Sequence, residues 1–110
     1  MQVRKEQSGS TTVIAVSGDV DLSSSRELQA ELRETISSGP SRLIVDLGGV
    51  PYMDSSGVAT LVEAMQNSRK KGTRLVLCGM GDKVQSIFEI ARLDKVFTIV
   101  GDRAEAQSVE

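Results

Sequence analysis

The 110-residue chain has no histidine and no tryptophan, a single cysteine, two prolines, two phenylalanines and one tyrosine. Each shortage excludes something. Without histidine there is no Ser-His-Asp or Cys-His catalysis, and the commonest zinc ligand is missing. Tyr52, Phe88 and Phe97 are too few to stack the bases of a single-stranded nucleic acid. Cys78 cannot close an intramolecular disulfide, and its place in the apolar run Leu75-Val76-Leu77-Cys78 predicts a buried, reduced thiol. No apolar run approaches the ~20 residues of a membrane span. Met1 to Glu6 has no signal-peptide core, so a cytoplasmic protein is expected. Thirteen basic residues face fifteen acidic ones, a net charge of −2, without the clustered basic excess of a nucleic-acid footprint. The one basic knot, Arg69-Lys70-Lys71, falls where a helix ends and complements its dipole.

What is present reads as one small domain, 1–110, of alternating strands and helices. Residues 2–7 make a weak edge strand, Ser8-Gly9-Ser10 a turn, and Thr11–Val16 a firmer strand, so the two form a hairpin. Ser24 and Glu27 have capping-box spacing, and Leu28, Leu32 and Ile36 give residues 25–37 one apolar helical face. Leu43–Leu47 is apolar enough for a strand buried on both faces. Arg74–Cys78 is another. Asp82 with Gln85 is expected to cap a helix carrying Val84, Ile87, Phe88 and Ala91, ended by Leu93 and Asp94. Lys95–Val100 reads as the last strand, followed by a short polar helix over 102–108.

The organising stretch is Gly49-Val50-Pro51-Tyr52-Met53-Asp54-Ser55-Ser56-Gly57-Val58. Beyond it, Val58, Leu61, Val62 and Met65 fall at i, i+3, i+4 and i+7, which predicts a helix from Ser55 to Lys71 ended by Gly72. Asp54 or Ser55 can cap that helix by accepting an unpaired backbone N–H. The free N–H groups of a helix start also favour negative charge, so a phosphate on Ser56 would be tolerated there. The same four residues, Asp54 to Gly57, would equally serve as a helix cap and nothing more.

In this order, the pieces resemble a STAS domain of the stand-alone bacterial kind that acts as an anti-sigma factor antagonist. The resemblance rests on Gly18-Asp19-Val20-Asp21, on Leu43 to Val50, on Phe88 to Phe97, and above all on Tyr52-Met53-Asp54-Ser55-Ser56-Gly57-Val58. It implies an α/β fold, a mixed sheet with a leading antiparallel hairpin and helices packed against it. It implies a non-enzymatic binding module with no cofactor and no bound metal, monomeric, with neither nucleic acid nor membrane as partner. The implied partners are an anti-sigma factor that is also a serine-protein kinase and a metal-dependent serine phosphatase. The phosphoacceptor carried over is Ser56, with Ser55 as the neighbouring alternative. The docking face carried over comprises Asp21, Met53, Asp54, Ser55, Ser56, Gly57 and Val58, with Met53 and Val58 expected to offer exposed apolar contact.

Other signals carry less. Gly79-Met80-Gly81 lacks the third glycine of a dinucleotide fingerprint, since Val84 stands there. Ser68-Arg69-Lys70-Lys71 matches S-x-x-K without its companion motifs. Asp19, Asp21 and Asp54 could gather round a divalent cation, although a metal here is better read as belonging to a kinase's nucleotide. The alternative function is a non-catalytic assembly subunit of a transport or membrane-lipid complex.

Overall fold

A computed structural model describes residues 1–109. Five strands, β1 (Gln2–Ser8), β2 (Thr11–Ser17), β3 (Arg42–Gly49), β4 (Arg74–Cys78) and β5 (Thr98–Val100), lie side by side in chain order. β1 pairs antiparallel with β2, and every later neighbour is parallel. This is the mixed sheet expected. The hairpin pairs Ser8 with Thr11, so only Gly9 and Ser10 turn the chain. The parallel steps need crossovers, supplied by α1 (Ser25–Ser37), α2 (Ser55–Lys71) and α3 (Asp82–Ile90).

Sequential parallel strands joined by crossovers of one hand put all three helices on one face. Alternation along the strands then decides the core. Ile14 and Val16, Leu43, Val45 and Leu47, and Leu75 and Leu77 point toward Leu28, Leu32, Ile36, Leu61, Met65, Val84 and Phe88 of the helices. Phe88 meets Phe97 edge to face, ring centres 5.4 Å apart.

The other face is thinner. Val13, Ile44, Val76 and Cys78 are covered by Ala106 of α4 (Arg103–Gln107), with Val109 beside it. Burial pushes the Cys78 thiol up to about 11, and the Asp46 charge adds to the effect. α4 is pinned at both ends. Arg103 Nε donates to Asp46 Oδ2 at 2.6 Å and its NH1 to Glu6 at 3.0 Å. Arg42 donates to the Gln107 and Val109 carbonyls.

Several local expectations are corrected. β1 pairs along its whole length, although all but Val3 of its residues are exposed, because backbone bonds to β2 hold it. The Ser24–Glu27 capping box does not form: Ser24 Oγ accepts from the Asp21 N–H and donates to the Asp19 carbonyl instead. α3 starts after Gly81 with no side-chain cap from Asp82 or Gln85. The last strand starts at Thr98, because Leu93–Lys95 winds into a tight 3₁₀ turn after Arg92, which sits at φ 60°. Against these, α1 and α2 keep the expected bounds, and Gly72 ends α2 at φ 75°, a conformation open to glycine. Among the described residues, no helix is long and apolar enough to cross a membrane.

Candidate functional site

The site is made by the loops after β2 and β3. The register of these strands slips between Ala15 and Ser17, and one further parallel rung forms beyond the slip, between Val20 and Met53. Val20 N donates to the Tyr52 carbonyl at 3.0 Å, and Asp54 N to the Val20 carbonyl at 3.1 Å. That rung lays two tripeptides next to each other, Asp21-Leu22-Ser23 and Asp54-Ser55-Ser56.

They are built alike. In each, the aspartate Oδ1 accepts from both the N–H and the hydroxyl of the serine two residues on. The distances are 3.0 and 2.6 Å for Asp21 with Ser23, and 2.9 and 2.6 Å for Asp54 with Ser56. In each, the serine hydroxyl is the main reason the carboxyl lies below its ordinary range. For Asp54 the N–H groups of Gly57, Ser56 and Leu22 lower it further. The Asp54 charge pushes the other way on Asp21, so the two carboxylates sense each other.

Asp54 is thereby the N-cap of α2, reaching Gly57 N at 3.3 Å as well. Of the two serines in the loop, Ser56 is half-buried and bonded to Asp54, whereas Ser55 is exposed and stands outside that cap. Gly57 is buried, and a methyl group on it would meet Met53 Cγ at 2.6 Å and Val20 Cγ1 at 2.8 Å. The α2 start therefore rests directly on the Val20–Met53 rung.

The expected docking residues divide accordingly. Asp21, Asp54, Ser55 and Ser56 come together at the surface ends of the two loops. Met53 does not belong there: it is wholly buried, turned inward from its rung with Val20. Gly57 is buried above it, and Val58 is half-buried against the main core. The apolar surface that sequence reasoning assigned to Met53 and Val58 is supplied instead by Leu22, 79% exposed, and Tyr52, 48% exposed. Leu22 is a single apolar residue between Asp21 and Ser23, and Tyr52 sits in the short run Val50-Pro51-Tyr52-Met53, where no periodicity tells the exposed residue from the buried ones. No group of three or more His, Cys, Asp or Glu side chains able to hold a metal exists among the described residues.

Two recesses lie near. One, about 390 Å³, is a groove between α1 and α2 lined by Ser25, Arg26, Gln29, Ser56, Thr60 and Glu63. A larger one, about 730 Å³, runs along β1 and the ends of β2 and β3 and contains none of the candidate residues. Across the groove, Glu63 joins the two helices, accepting from Gln29 at 2.8 Å and from Arg33 Nε at 3.0 Å. Arg33 is also the main cause of the lowered Glu63 carboxyl pKa.

Comparison with known proteins agrees with this fold. The STAS domain model matches residues 2–106. The chain is 30% identical over 95 residues to the anti-sigma-B factor antagonist of Listeria monocytogenes, a match covering 86% of this chain and 83% of that one. An anti-sigma factor antagonist from Mycobacterium paratuberculosis shares the fold at a TM-score of 0.90 and 20% identity, over 97% of this chain and 91% of that one. The Bacillus cell fate determinant SpoIIAA, in its phosphorylated form, shares it at 0.76 and 20% identity, over 99% and 100%. With a family match that begins in β1 and ends in α4, this chain belongs to the STAS domain family.

Proposed function

We propose that the chain is an anti-sigma factor antagonist whose docking face is switched by a phosphate on Ser56. The observation that carries this is the Ser56 hydroxyl, held by Asp54 at 2.6 Å in the first turn of α2, with the exposed Leu22 and Tyr52 carried on the same two loops. Such a face has the parts of a small protein interface, two apolar anchors ringed by polar and acidic groups. The relative from Listeria monocytogenes, which bears the name of an anti-sigma factor antagonist, supports the same reading.

The bare form binds an anti-sigma factor that is also a serine kinase and so frees the sigma factor. In the transfer, Ser56 Oγ bonds to the γ-phosphorus of the kinase's ATP. The bond from that phosphorus to the β,γ-bridging oxygen breaks, ADP leaves, and the hydroxyl proton passes to a base. The phosphate adds roughly −1.5 to −2 charges beside Asp54 and Asp21. Desolvating that cluster against a partner without matching cations is costly, and binding fails. A metal-dependent phosphatase restores the hydroxyl by directing water onto the phosphorus, releasing inorganic phosphate. The chain itself catalyses neither step.

The test is calorimetry with the cognate kinase, comparing bare protein with protein phosphorylated at Ser56. Tight binding of the bare form and loss of binding in the modified form support the proposal. Equal affinity overturns it. A mass shift of one phosphate that persists in Ser56→Ala would move the acceptor to Ser55.

A further inference from the structure

Resting on that reading, we propose that the groove between α1 and α2 is the seat of the phosphate once Ser56 carries one, with Arg26 as its counter-ion. Esterification removes the proton that Ser56 Oγ donates to Asp54 Oδ1 over 2.6 Å. What was an attraction becomes repulsion between a carboxylate and a dianion, so the modified side chain leaves Asp54. Asp21, which senses the Asp54 charge, bars the same side. Away from these acids, Ser56 borders the 390 Å³ groove.

The groove is suited to an anion. Its lining keeps helical spacing: Ser56, Thr60 and Glu63 from α2 face Ser25, Arg26 and Gln29 from α1. Ser25, only 6% exposed, forms the floor of this lining on the α1 side. Glu63 is the one acid in the lining, and its two oxygens are already engaged by Arg33 and Gln29. Arg26 makes no ion pair among the described residues and is left to face a phosphate, which a guanidinium can meet with two parallel N–H bonds.

Protein with phosphoserine encoded at position 56 tests this without any kinase. The second ionisation of the phosphate is tracked by ³¹P NMR against pH in the otherwise native chain, in R26Q, and in R74Q, a distant arginine at the start of β4. A nearby cation favours the dianion, so R26Q is expected to raise the phosphate pKa by about half a unit or more, with R74Q unchanged. The same titration in R26Q as in the native sequence overturns the proposal, as does an equal shift in R74Q. R26K, which keeps the charge but loses the planar fork, is expected to fall between. Arg26 is an exposed helix residue, so these variants fold. Kinase affinity is a separate measurement: if it is equal for bare and phosphorylated chains, the proposed function falls, while the titration still decides where the phosphate lies.

Discussion

The loops after β2 and β3 repeat one device, an aspartate holding the serine two residues on by both its N–H and its hydroxyl. The helix starts behind the two devices differ. After Asp54 the serine lies inside the first turn of α2, Gly57 presses against Met53 and Val20, and the aspartate is the cap. After Asp21 the serine stays outside α1, Ser24 occupies the place matching Gly57, and the helix starts without a side-chain cap. The hydroxyl at Ser56 is thus set on a rigid base beside a groove, while that at Ser23 is exposed. Equal hydrogen bonding does not make equal sites. The helix behind the serine makes the difference.

Four experiments sharpen or break that distinction. Ser56→Asp is expected to weaken binding of the cognate kinase by on the order of 100-fold, or a few kcal/mol, and Ser56→Ala to bind constitutively. Ser23→Asp puts the same charge in the twin loop, where water screens it, and should cost less than about tenfold. Calorimetry giving the two aspartates equal losses would erase the contrast. Gly57→Ala, with its methyl forced against the Val20–Met53 rung, is expected to lower unfolding free energy by about 1–3 kcal/mol. Ser24→Ala, losing hydrogen bonds at a half-exposed site, should lose about 0.5–1.5 kcal/mol; urea melts compare them.

Third, Leu22→Ser should weaken the same complex by about 1 kcal/mol, roughly fivefold, with an unchanged urea midpoint. No loss would remove Leu22 from the docking face. The smallest effect is on acid sensitivity. Both aspartate pKa values lie below those of the unfolded chain, so the unfolded chain takes up the extra protons in acid. Their stabilisation is complete above about pH 4 and fades as pH falls through the lowered values. Asp54→Asn should flatten the acid decline of the urea midpoint more than Asp21→Asn, because Asp54 also holds the α2 N–H groups. Identical curves would put the two loops on equal terms.

Much of this could be read from residue order. The α1 and α2 bounds come from apolar spacing ended by Gly39 and Gly72, and the parallel core strands from unbroken aliphatic runs. The Asp54 cap comes from a short acceptor beside free N–H groups. What escaped was long-range or backbone-made. Of β1 only the strength escaped: the hairpin was expected, but a strand read as weak pairs over seven residues because main-chain bonds hold it. The inward turn of Met53 depends on a single rung to Val20, thirty-odd residues away, which no local pattern encodes. Ser24 has the spacing of a capping-box residue, but its hydroxyl is claimed by the Asp21 loop. The twin-loop geometry and the Arg26 groove needed α1 and α2 side by side before either could be seen.

The thin rear face has a use at the bench. With its pKa near 11, the Cys78 thiol is about one part in a thousand thiolate at pH 8, and Ala106 lies over its cluster. A disulfide reagent can react only when α4 lifts, which makes the chain's own sulfur a stopwatch for that motion. Because it sits behind the sheet, the clock runs without touching the surface where partners are exchanged.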